Sequence, residues 1–213
     1  MNSKKKLLND FKLYAITDLN SEDSGILLTI KEALRGGVDI IQLRSKNVSD
    51  SFFLQLGKQI RQVTGKMKKL FIVNDRVDLM MALDADGVHL GQDDLPIKLA
   101  RNLIKNKSKF IGRSTHSVAQ AEQAVREGAD YIGYGPLFGT PTKPDYPPIG
   151  LSQIKQVVKR TKIPVVCIGG INQSNTKTVV QAGANRIAVV RAIFSAEHPF
   201  SAARELKRMI SHV

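Results

Sequence analysis

Short apolar runs recur along the chain, and the segments between them have apolar residues spaced as on one face of a helix. A run such as Val165–Ile168 has the length and β-branched composition of a buried strand. Between the second and third runs, the apolar positions fall at helical intervals: Phe52, Phe53, Leu56, Ile60 and Val63. The pattern predicts strands and helices in strict alternation.

Eight runs are predicted to be strands: Leu13–Thr17, Ile40–Leu43, Phe71–Val73, Gly87–Leu90, Phe110–Gly112, Tyr131–Tyr134, Val165–Ile168 and Ile187–Val190. Three glycine positions are predicted to end helices, because glycine readily adopts the left-handed conformation of a C-cap: Gly36-Gly37, Gly128 and Gly183. After each of them an acidic or amide residue opens the next strand: Asp39, Asp130 and Asn185.

Strict alternation of strands and helices favours a parallel sheet covered by helices. Eight such units predict an α/β fold, a closed (β/α)8 TIM barrel smaller than the typical size of about 250 residues. The alternative is a doubly wound open sheet, but the G-x-G-x-x-G motif typical of that fold does not follow the first strand. No proline-rich linker divides the chain. Residues 1–213 are therefore predicted to form one domain, with a short basic N-terminal segment, residues 1–12.

Positive charge dominates the sequence, with 32 Lys and Arg against 19 Asp and Glu, a formal net charge of +13. Three basic clusters end predicted helices: Lys66, Lys68 and Lys69; Lys105, Lys107 and Lys109; and Lys155, Lys159, Arg160 and Lys162. Cations there offset the partial negative charge of a helix C-terminus. No aromatic residues interleave with them, so we expect no nucleic-acid partner. Attraction of anionic small molecules is the remaining alternative.

The composition also bears on the compartment. The chain is 42% hydrophobic, as in globular proteins, and has a single cysteine, Cys167, which fits a reducing environment. Its longest apolar stretch, Ile163–Ile171, has nine residues, whereas a membrane span needs about 20. The apolar run after Lys4–Lys6 is too short for a signal peptide. We therefore expect a cytoplasmic protein with no membrane partner.

Polar residues gather where the predicted strands end, which is where barrels of this kind build their active sites. The polar residues are Gln42, Arg44, Lys46, Asn74, Asp75, His89, Gln92, Asp93, Asp94, Ser114, Thr115, His116, Thr140, Thr142, Lys143 and Arg191. Gly169, Gly170 and Val190 stand at the same strand ends. We expect the active site at this end of the barrel.

The charged members of this set suit a substrate that carries phosphate. Arg44, Lys46 and Lys143 are cations for phosphate oxygens, which arginine can bind through two hydrogen bonds. Asp75 and Asp94 follow adjacent strands and are oxygen ligands of the kind that hold Mg²⁺ together with substrate phosphates.

A second phosphate site is predicted at the seventh and eighth loops, where barrels often bind phosphate. Gly169-Gly170 and the Val190-Arg191 turn are each expected to open a helix and to offer backbone N–H groups. Thr140 and Thr142 add hydroxyl donors. For the glycine pair, a role in a tight turn alone is the alternative.

Structural alternatives stand beside these roles. Asp75 next to Arg76 fits a helix N-cap with a salt bridge, and Asp93-Asp94 before Leu95-Pro96 fits the cap of the following helix. His116 is open between a helix-start residue and a proton-transfer group.

Other residues are interpreted structurally. His89 is taken as a hydrogen-bonded core histidine, Cys167 as a small buried hydrophobe, and Tyr131 and Tyr134 as packing residues.

Six blocks in series resemble thiamine-phosphate synthase, over a span from Leu13 to about Ile193. They are Gln42-Leu43-Arg44-Ser45-Lys46, Asn74-Asp75-Arg76, Asp86 to Asp94, Ser114-Thr115-His116-Ser117, Gly135-Pro136 with Thr140-Pro141-Thr142-Lys143, and Ile168-Gly169-Gly170-Ile171.

The resemblance implies a (β/α)8 transferase that joins 4-amino-2-methyl-5-hydroxymethylpyrimidine diphosphate to 4-methyl-5-(2-phosphoethyl)thiazole, giving thiamine phosphate and diphosphate. It implies pyrimidine diphosphate binding by Gln42, Leu43, Arg44, Ser45, Lys46, Asn74, Ser114 and Lys143. It implies one Mg²⁺ ion on Asp75 and Asp94, and thiazole phosphate binding by Thr140, Pro141, Thr142, Gly170, Val190 and Arg191. The cations Arg44, Lys46 and Lys143 would be catalytic, helping diphosphate to leave before the thiazole nitrogen attacks.

Two positions depart from the family, which commonly has a small residue at Arg191 and often a small apolar one at Arg113. We interpret Arg113 as a structural residue at the end of a strand. A related thiazole tautomerase, acting through a histidine that matches His116, is the nearest alternative function. A non-catalytic nucleic-acid-binding protein is a second alternative. Whether the chain forms a homo-oligomer is left open by the sequence.

Overall fold

The computed structural model describes residues 3–23, 25–140 and 147–211. The strands are β1 (Leu13–Ile16), β2 (Ile40–Leu43), β3 (Leu70–Asn74), β4 (Gly87–Leu90), β5 (Phe110–Thr115), β6 (Tyr131–Tyr134), β7 (Val165–Cys167) and β8 (Ile187–Val189). The helices are α1 (Ser3–Asp10), α2 (Ile26–Arg35), α3 (Asp50–Lys66), α4 (Val77–Ala82), α5 (Ile97–Ile104), α6 (Val118–Glu127), α7 (Ile154–Thr161), α8 (Thr176–Gln181), α9 (Arg191–Phe194) and α10 (Pro199–Ser211). Among these helices none combines the length and apolarity that crossing a bilayer requires.

The eight strands form a closed sheet. Each pairs in parallel with its neighbour in chain order, and β8 returns to pair with β1. Tyr14 on β1 lies opposite Ile40 on β2 on one side and opposite Ala188 on β8 on the other. The predicted (β/α)8 barrel is therefore confirmed. The open doubly wound sheet is wrong, because such a sheet has two unpaired edges.

The observed strand bounds agree with the predicted runs to within a few residues. The largest difference is at β5, predicted to end at Gly112, which continues to Thr115. Its register with β6 extends as far as Thr115 opposite Tyr134. Ser114 and Thr115 therefore belong to a strand and not, as expected, to the loop that follows it.

Alternate residues of each strand face two different cores. On β2, Ile40 lies in a core inside the barrel with Phe11 and Tyr14, whereas Ile41 and Leu43 lie in the core between the barrel and its helices. This alternation follows from the period of two along a strand. It directs every second side chain of a strand into the barrel, toward the place where a site can form.

The N-terminal end of the barrel is held by Asp39, Asp86 and Asp130, which precede even-numbered strands. Each carboxylate accepts a hydrogen bond from a backbone N–H near the start of the preceding odd-numbered strand: Leu13, Phe71 and Ile111, at 3.1, 2.9 and 2.9 Å. From α1, Lys4 pairs with Asp86 and Lys5 with Asp130. The described part of segment 1–12, predicted only to be basic, thus carries a helix that covers this end.

The predicted position of the basic clusters at helix ends is confirmed except for Lys155, which lies in the first turn of α7. Helix α3 ends at Lys66, while Lys105 and Lys162 are the C-cap residues of α5 and α7. Lys69 pairs with Asp39 at 3.0 Å. Because each helix returns the chain to the start of the next strand, these cations lie at the N-terminal end of the barrel. The predicted active site is at the opposite end.

Candidate active site

A cavity of about 330 Å³ opens at the C-terminal ends of the strands. Many of the predicted site residues line it: Gln42, Arg44, Asn74, Ser114, Thr115, His116, Thr140, Gly169, Gly170, Val190 and Arg191. His89 lines it as well. Ligand pockets for small molecules have volumes of roughly 300–1,000 Å³, so this cavity has the size for a small substrate.

Seven predicted site residues belong to the same end of the barrel without lining the cavity: Leu43, Ser45, Lys46, Asp75, Gln92, Asp93 and Asp94. The Leu43 side chain is fully buried between the barrel and its helices, so only its backbone can face a ligand. Lys46 is exposed on the loop after β2. Pro141, Thr142 and Lys143 lie outside the described residues.

The chain just after β1 positions Arg44. The Thr17 hydroxyl accepts from the Arg44 N–H and donates to the Arg44 carbonyl, both at 2.8 Å. The Arg44 guanidinium forms an ion pair with Asp18, and only 12% of the side chain is exposed. Thr17 and Asp18 therefore hold a cation at the cavity wall. Neither residue was predicted to have this role, because the only pattern considered after the first strand was the G-x-G-x-x-G motif.

The two aspartates predicted to bind metal are both hydrogen-bonded to the end of β4, Asp75 through its backbone N–H and Asp94 through its carboxylate. The Asp75 N–H donates to the His89 carbonyl at 2.8 Å. Asp75 has a φ of 58°, in the left-handed region that aspartate tolerates better than most residues. The Asp94 carboxylate accepts from the Gly91 N–H at 2.6 Å. Both residues thus lie at the same edge of the barrel.

Neither carboxylate caps a helix. The N-cap residues of α4 and α5 are Arg76 and Pro96, and Arg76 forms its ion pairs with Asp50 and Asp78. The capping alternatives for Asp75 and for the Asp93-Asp94 pair are therefore wrong, as is the Asp75 salt bridge with Arg76.

The carboxylate pair suits Mg²⁺ by its chemistry. Carboxylates are hard oxygen ligands, and Mg²⁺ is usually held by one or two of them together with substrate phosphates. Within the part of the chain that the structure describes, no three His, Cys, Asp or Glu side chains converge as a metal cluster. An ion on these two residues would need further oxygen ligands, of the kind that substrate phosphates supply.

Arg113 ties the loop that carries Asp94 to β5. Its guanidinium, on a side chain that is 9% exposed, donates to the carbonyls of Gln92 at 3.1 Å and of Leu95 at 3.3 Å. The Gln92 side chain in turn donates to the Ser114 carbonyl. The interpretation of Arg113 as a structural residue fits these contacts, which fix the backbone on both sides of Asp94.

A chain of hydrogen bonds crosses the interior of the barrel below the cavity. Gln42 Nε2 donates to Tyr14 Oη at 2.7 Å, and Tyr14 Oη lies 3.0 Å from Tyr131 Oη. Tyr131 Oη lies 3.2 Å from His89 Nδ1, and His89 Nε2 lies 3.0 Å from Ser114 Oγ. Burial raises the pKa of both tyrosines above the ordinary value. His89 is thus a hydrogen-bonded histidine as predicted, and it also faces the cavity.

Comparison with known proteins identifies the family to which the chain belongs. The family model described as thiamine monophosphate synthase matches residues 13–193. The chain belongs to this family.

Relatives cover almost the whole chain. A thiamine-phosphate synthase of Chloroflexus aurantiacus is 45% identical over 204 residues, which are 95% of this chain and 94% of the relative. A solved thiamine phosphate pyrophosphorylase of Pyrococcus furiosus superposes with a TM-score of 0.87 at 40% identity, covering 96% of this chain and 98% of that one. A Synechococcus thiamine-phosphate synthase is 44% identical across 98% of this chain, which spans only 59% of that longer relative.

The glycine pair after β7 is required by close packing at the mouth of this thiamine monophosphate synthase family barrel. Gly169 and Gly170 have φ of 99° and 65°. A Cβ on Gly169 would lie 2.4 Å from Pro136 Cα, and one on Gly170 would lie 2.8 Å from the Gly139 oxygen. The expectation that the pair opens a helix is wrong, because α8 begins only at Thr176. The structure therefore requires the glycines for the turn.

At the end of β8 the expectation of a helix start is confirmed. Helix α9 begins at Arg191, with Val190 as its N-cap residue. Arg191 is exposed and lines the cavity. Arg191, one of the two positions expected to depart from the family, therefore lies at the mouth itself.

His116 is held at the cavity without being part of a helix. Its Nδ1 is hydrogen-bonded to the Gly135 carbonyl, and its N–H donates to Gln120 Oε1 at 2.7 Å. Helix α6 begins at Val118 with Ser117 as its N-cap, so His116 lies just before the helix and is bonded to its first turn, as the helix-start interpretation expects.

Tyr14 is the interior residue that sequence reasoning missed. It lies on the inner face of β1, where a buried phenol needs a hydrogen-bond partner. The need of a buried phenol for a hydrogen-bond partner is the signal that could have identified Tyr14 from the sequence. Tyr131 was interpreted as packing, which its 0% exposure bears out, but its hydroxyl also joins the two halves of the interior chain.

Proposed function

We propose that this protein is a thiamine-phosphate synthase, which joins 4-amino-2-methyl-5-hydroxymethylpyrimidine diphosphate to 4-methyl-5-(2-phosphoethyl)thiazole and releases diphosphate. The observation that carries the proposal is the 45% identity, along almost the full length of both chains, to a relative of that name. The cavity supports it, since a cation and two carboxylates stand near one side of the mouth and the glycine turn near another.

The pyrimidine diphosphate is proposed to bind at the ends of β2, β3 and β5. Arg44 and Lys46 supply positive charge for the diphosphate, joined by Lys143. Gln42, Asn74 and Ser114 line the cavity and offer amide and hydroxyl groups to the pyrimidine. Leu43 and Ser45 are proposed to contribute through their backbone. Arg44 is already paired with Asp18, so a bound phosphate would share the guanidinium with that carboxylate.

Asp75 and Asp94 are proposed to hold one Mg²⁺ ion. When bound, the ion would neutralise charge on the diphosphate as it leaves. The two residues fit this role because both are anchored at the end of β4 and neither is used to cap a helix. Arg113 contributes indirectly, by fixing the loop on which Asp94 stands.

The thiazole phosphate is proposed to bind across the loops after β6, β7 and β8. Thr140, Gly170, Val190 and Arg191 line the cavity on this side, and Pro141 and Thr142 would continue the same loop. Backbone N–H groups and hydroxyls bind phosphate oxygens there, and the Arg191 guanidinium would add a charge-assisted contact. Two anions are thus held at different walls of one cavity.

The bond changes need no nucleophilic side chain. The bond from the exocyclic methylene carbon to the diphosphate oxygen breaks, and its electron pair leaves with diphosphate. The lone pair of the thiazole nitrogen then forms the new carbon–nitrogen bond. Arg44, Lys46 and Lys143 stabilise the charge on the leaving group. Holding both reactants in line supplies a further share of the rate, up to about 7–11 kcal/mol in ideal cases.

A thiazole tautomerase activity is the second candidate, because of one observation. His116 lines the cavity, and its Nδ1 is hydrogen-bonded to the Gly135 carbonyl, which fixes the imidazole ring. A tautomerase would need only the thiazole half of the site. The carboxylates and Arg44 would then have no role, which makes this function the weaker explanation of the mouth.

The deciding experiment incubates the full chain with both substrates and Mg²⁺ and follows diphosphate release. The proposal predicts release that requires both substrates and that stops when Mg²⁺ is chelated. Isomerisation of a thiazole carboxylate phosphate, without diphosphate release from the substrate pair, would instead identify a tautomerase. An Asp75→Asn variant is the matched control for the proposed metal-binding carboxylate, since it keeps the size of the side chain and removes its charge.

Two further expectations stay predictions. One is the cytoplasmic location. The other is the absence of a nucleic-acid partner. Retention on DNA across a salt series tests the second, because binding driven by phosphate contacts weakens steeply with salt.

A further inference from the structure

The interior hydrogen-bond chain begins and ends at the cavity but passes through residues that do not line it. Gln42 and Ser114, at its two ends, line the cavity together with His89. Tyr14 and Tyr131, in the middle, are 2% and 0% exposed and lie in the inner core. The two tyrosines therefore connect opposite walls of the site without touching a ligand.

Once the Gln42 amide is oriented with Nε2 toward Tyr14, counting protons gives the directions of the other hydrogen bonds. Each tyrosine hydroxyl has one proton and two partners, and a buried hydroxyl proton without an acceptor costs about 1–3 kcal/mol. Gln42 Nε2 donates to Tyr14, so the Tyr14 proton goes to Tyr131 and the Tyr131 proton goes to His89 Nδ1. Neutral His89 then carries its proton on Nε2 and donates to Ser114 Oγ. The Ser114 proton is left for another acceptor.

Turning the Gln42 amide over reverses every bond. Tyr14 then donates to the amide oxygen, Tyr131 donates to Tyr14, and His89 carries its proton on Nδ1. The Ser114 hydroxyl is then used as a donor to His89 Nε2. Any mixture of the two arrangements leaves a buried hydroxyl proton without an acceptor or sets two lone pairs against each other. The five groups therefore change direction together.

We propose that Tyr14 and Tyr131 are positioning residues that couple the amide orientation of Gln42 to the tautomer of His89 and to the hydroxyl direction of Ser114. The coupling is a property of the free protein, and its use in binding the pyrimidine rests on the proposed function. With the amide oriented so that Nε2 donates to Tyr14, the Gln42 oxygen and the Ser114 proton are left for other partners at the cavity, which both residues line.

This pair of groups matches an aminopyrimidine. The amino group of such a ring is a donor and its ring nitrogens are acceptors, so one acceptor and one donor on the protein are complementary to it. In a pyrimidine that carries an oxo group in place of the amino group, the oxo oxygen is an acceptor. It would face the Gln42 oxygen, which is also an acceptor, with no proton between them. The tyrosine pair would therefore make the site specific for the amino substituent, because it prevents Gln42 from turning over alone.

The first test is spectroscopic and needs no substrate. The full chain labelled with ¹⁵N-histidine is studied at a pH where the imidazoles are neutral, and the His89 signals are assigned by their loss in a His89→Asn variant. We expect one His89 tautomer, protonated on Nε2, in the unmodified protein. A mixture of the two tautomers would overturn the assigned orientation of Gln42, and the tyrosine variants decide whether the five groups are coupled.

Two tyrosine variants and a matched control complete the test. The Tyr14 hydroxyl is bonded to Gln42 and Tyr131 rather than to His89, yet Tyr14→Phe is expected to mix the His89 tautomers as Tyr131→Phe does. Tyr134→Phe is the control, because Tyr134 is on the same strand as Tyr131 but its hydroxyl bonds to Gln153 at 3.3 Å. The control is expected to leave His89 unchanged. An unchanged His89 tautomer in both Tyr14→Phe and Tyr131→Phe contradicts the proposal.

Steady-state kinetics then separate this coupling from the proposed function. Loss of either hydroxyl is expected to raise KM for the pyrimidine diphosphate about five- to tenfold, the worth of roughly one hydrogen bond, and to leave KM for the thiazole phosphate unchanged. The preference for the amino over the oxo pyrimidine is expected to fall. Equal rises in both KM values would indicate general damage and overturn the positioning role. If no turnover occurs at all, the proposed function is wrong. The tautomer measurement needs no substrate and still decides whether the coupling exists.

Discussion

Replacing Gly169 by alanine tests how tightly the loops at the mouth are packed. Gly169 has a φ of 99°, and a Cβ there would lie 2.4 Å from Pro136 Cα and 2.9 Å from Leu137 N, backbone atoms that cannot rotate away. A left-handed conformation costs a non-glycine residue about 1–2 kcal/mol. Overpacking costs about 1–3 kcal/mol more. We therefore expect Gly169→Ala to lower the free energy of unfolding by about 2–5 kcal/mol.

Gly128→Ala separates the two contributions. Gly128 has nearly the same φ, 94°, but nothing lies within 4 Å of its Cβ position. This control is expected to lose only the backbone cost of about 1–2 kcal/mol. Urea unfolding followed by circular dichroism measures both variants, and the m-value is expected to stay constant. Equal losses in the two variants would refute the close approach of the loops. In the enzyme assay, only Gly169→Ala is expected to raise KM for the thiazole phosphate.

Three further predictions concern charge, burial and loop positioning. Burial alone would raise the pKa of Asp39, but hydrogen bonds from Lys207 and the Lys12 N–H outweigh it and hold the pKa below the ordinary value. Asp39→Asn should therefore cost stability at pH 7, and the cost should shrink as the pH falls below about 3.9; a loss that is independent of pH in urea unfolding contradicts this. Burial raises the pKa of Cys167 to about 12, so a thiol reagent at pH 8 should label it only after unfolding, and prompt labelling of the native protein would be the opposite result. Arg113→Met removes the donor that fixes the Asp94 loop and should raise the Mg²⁺ concentration for half-maximal turnover about tenfold, as second-shell losses do; an unchanged Mg²⁺ requirement speaks against this role.

The barrel was predictable because each unit repeats a local signal. The apolar runs gave eight strands, and Gly128 stops α6 in the left-handed conformation that its position predicts. The length of β5 was not predictable in this way. Arg113 and Ser114 are polar, which ends an apolar run, yet they pair with β6 because the closed sheet supplies a partner for their backbone.

The position of the site followed from topology, and its internal contacts did not. Reading strand ends alone was enough to collect Gln42, Ser114 and Arg191 around one cavity. The link between Tyr14 and Tyr131 joins residues 117 positions apart and exists only once the barrel is closed. No local pattern records such a contact.

The errors at the site have the same physical origin. A capping role for Asp75 was plausible from its neighbour Arg76, but Arg76 instead pairs with Asp50, a residue on α3. The helix expected at Gly169-Gly170 starts later, because both glycines are used for the turn against the loop after β6. Arg76 also pairs with Asp78, so a tertiary and a local carboxylate together take the place of Asp75, and at the glycines the contact with the loop after β6 decides the structure.

A crystal structure of the full chain with Mg²⁺, diphosphate and the thiazole phosphate tests the central claim most directly. The account predicts diphosphate against Arg44, with the metal between it and the carboxylates of Asp75 and Asp94. The thiazole phosphate should lie near Gly170 and Arg191, with its ring nitrogen pointing toward the diphosphate. Both anions in one subsite, or bound only at the helix ends beneath the barrel, would contradict the account.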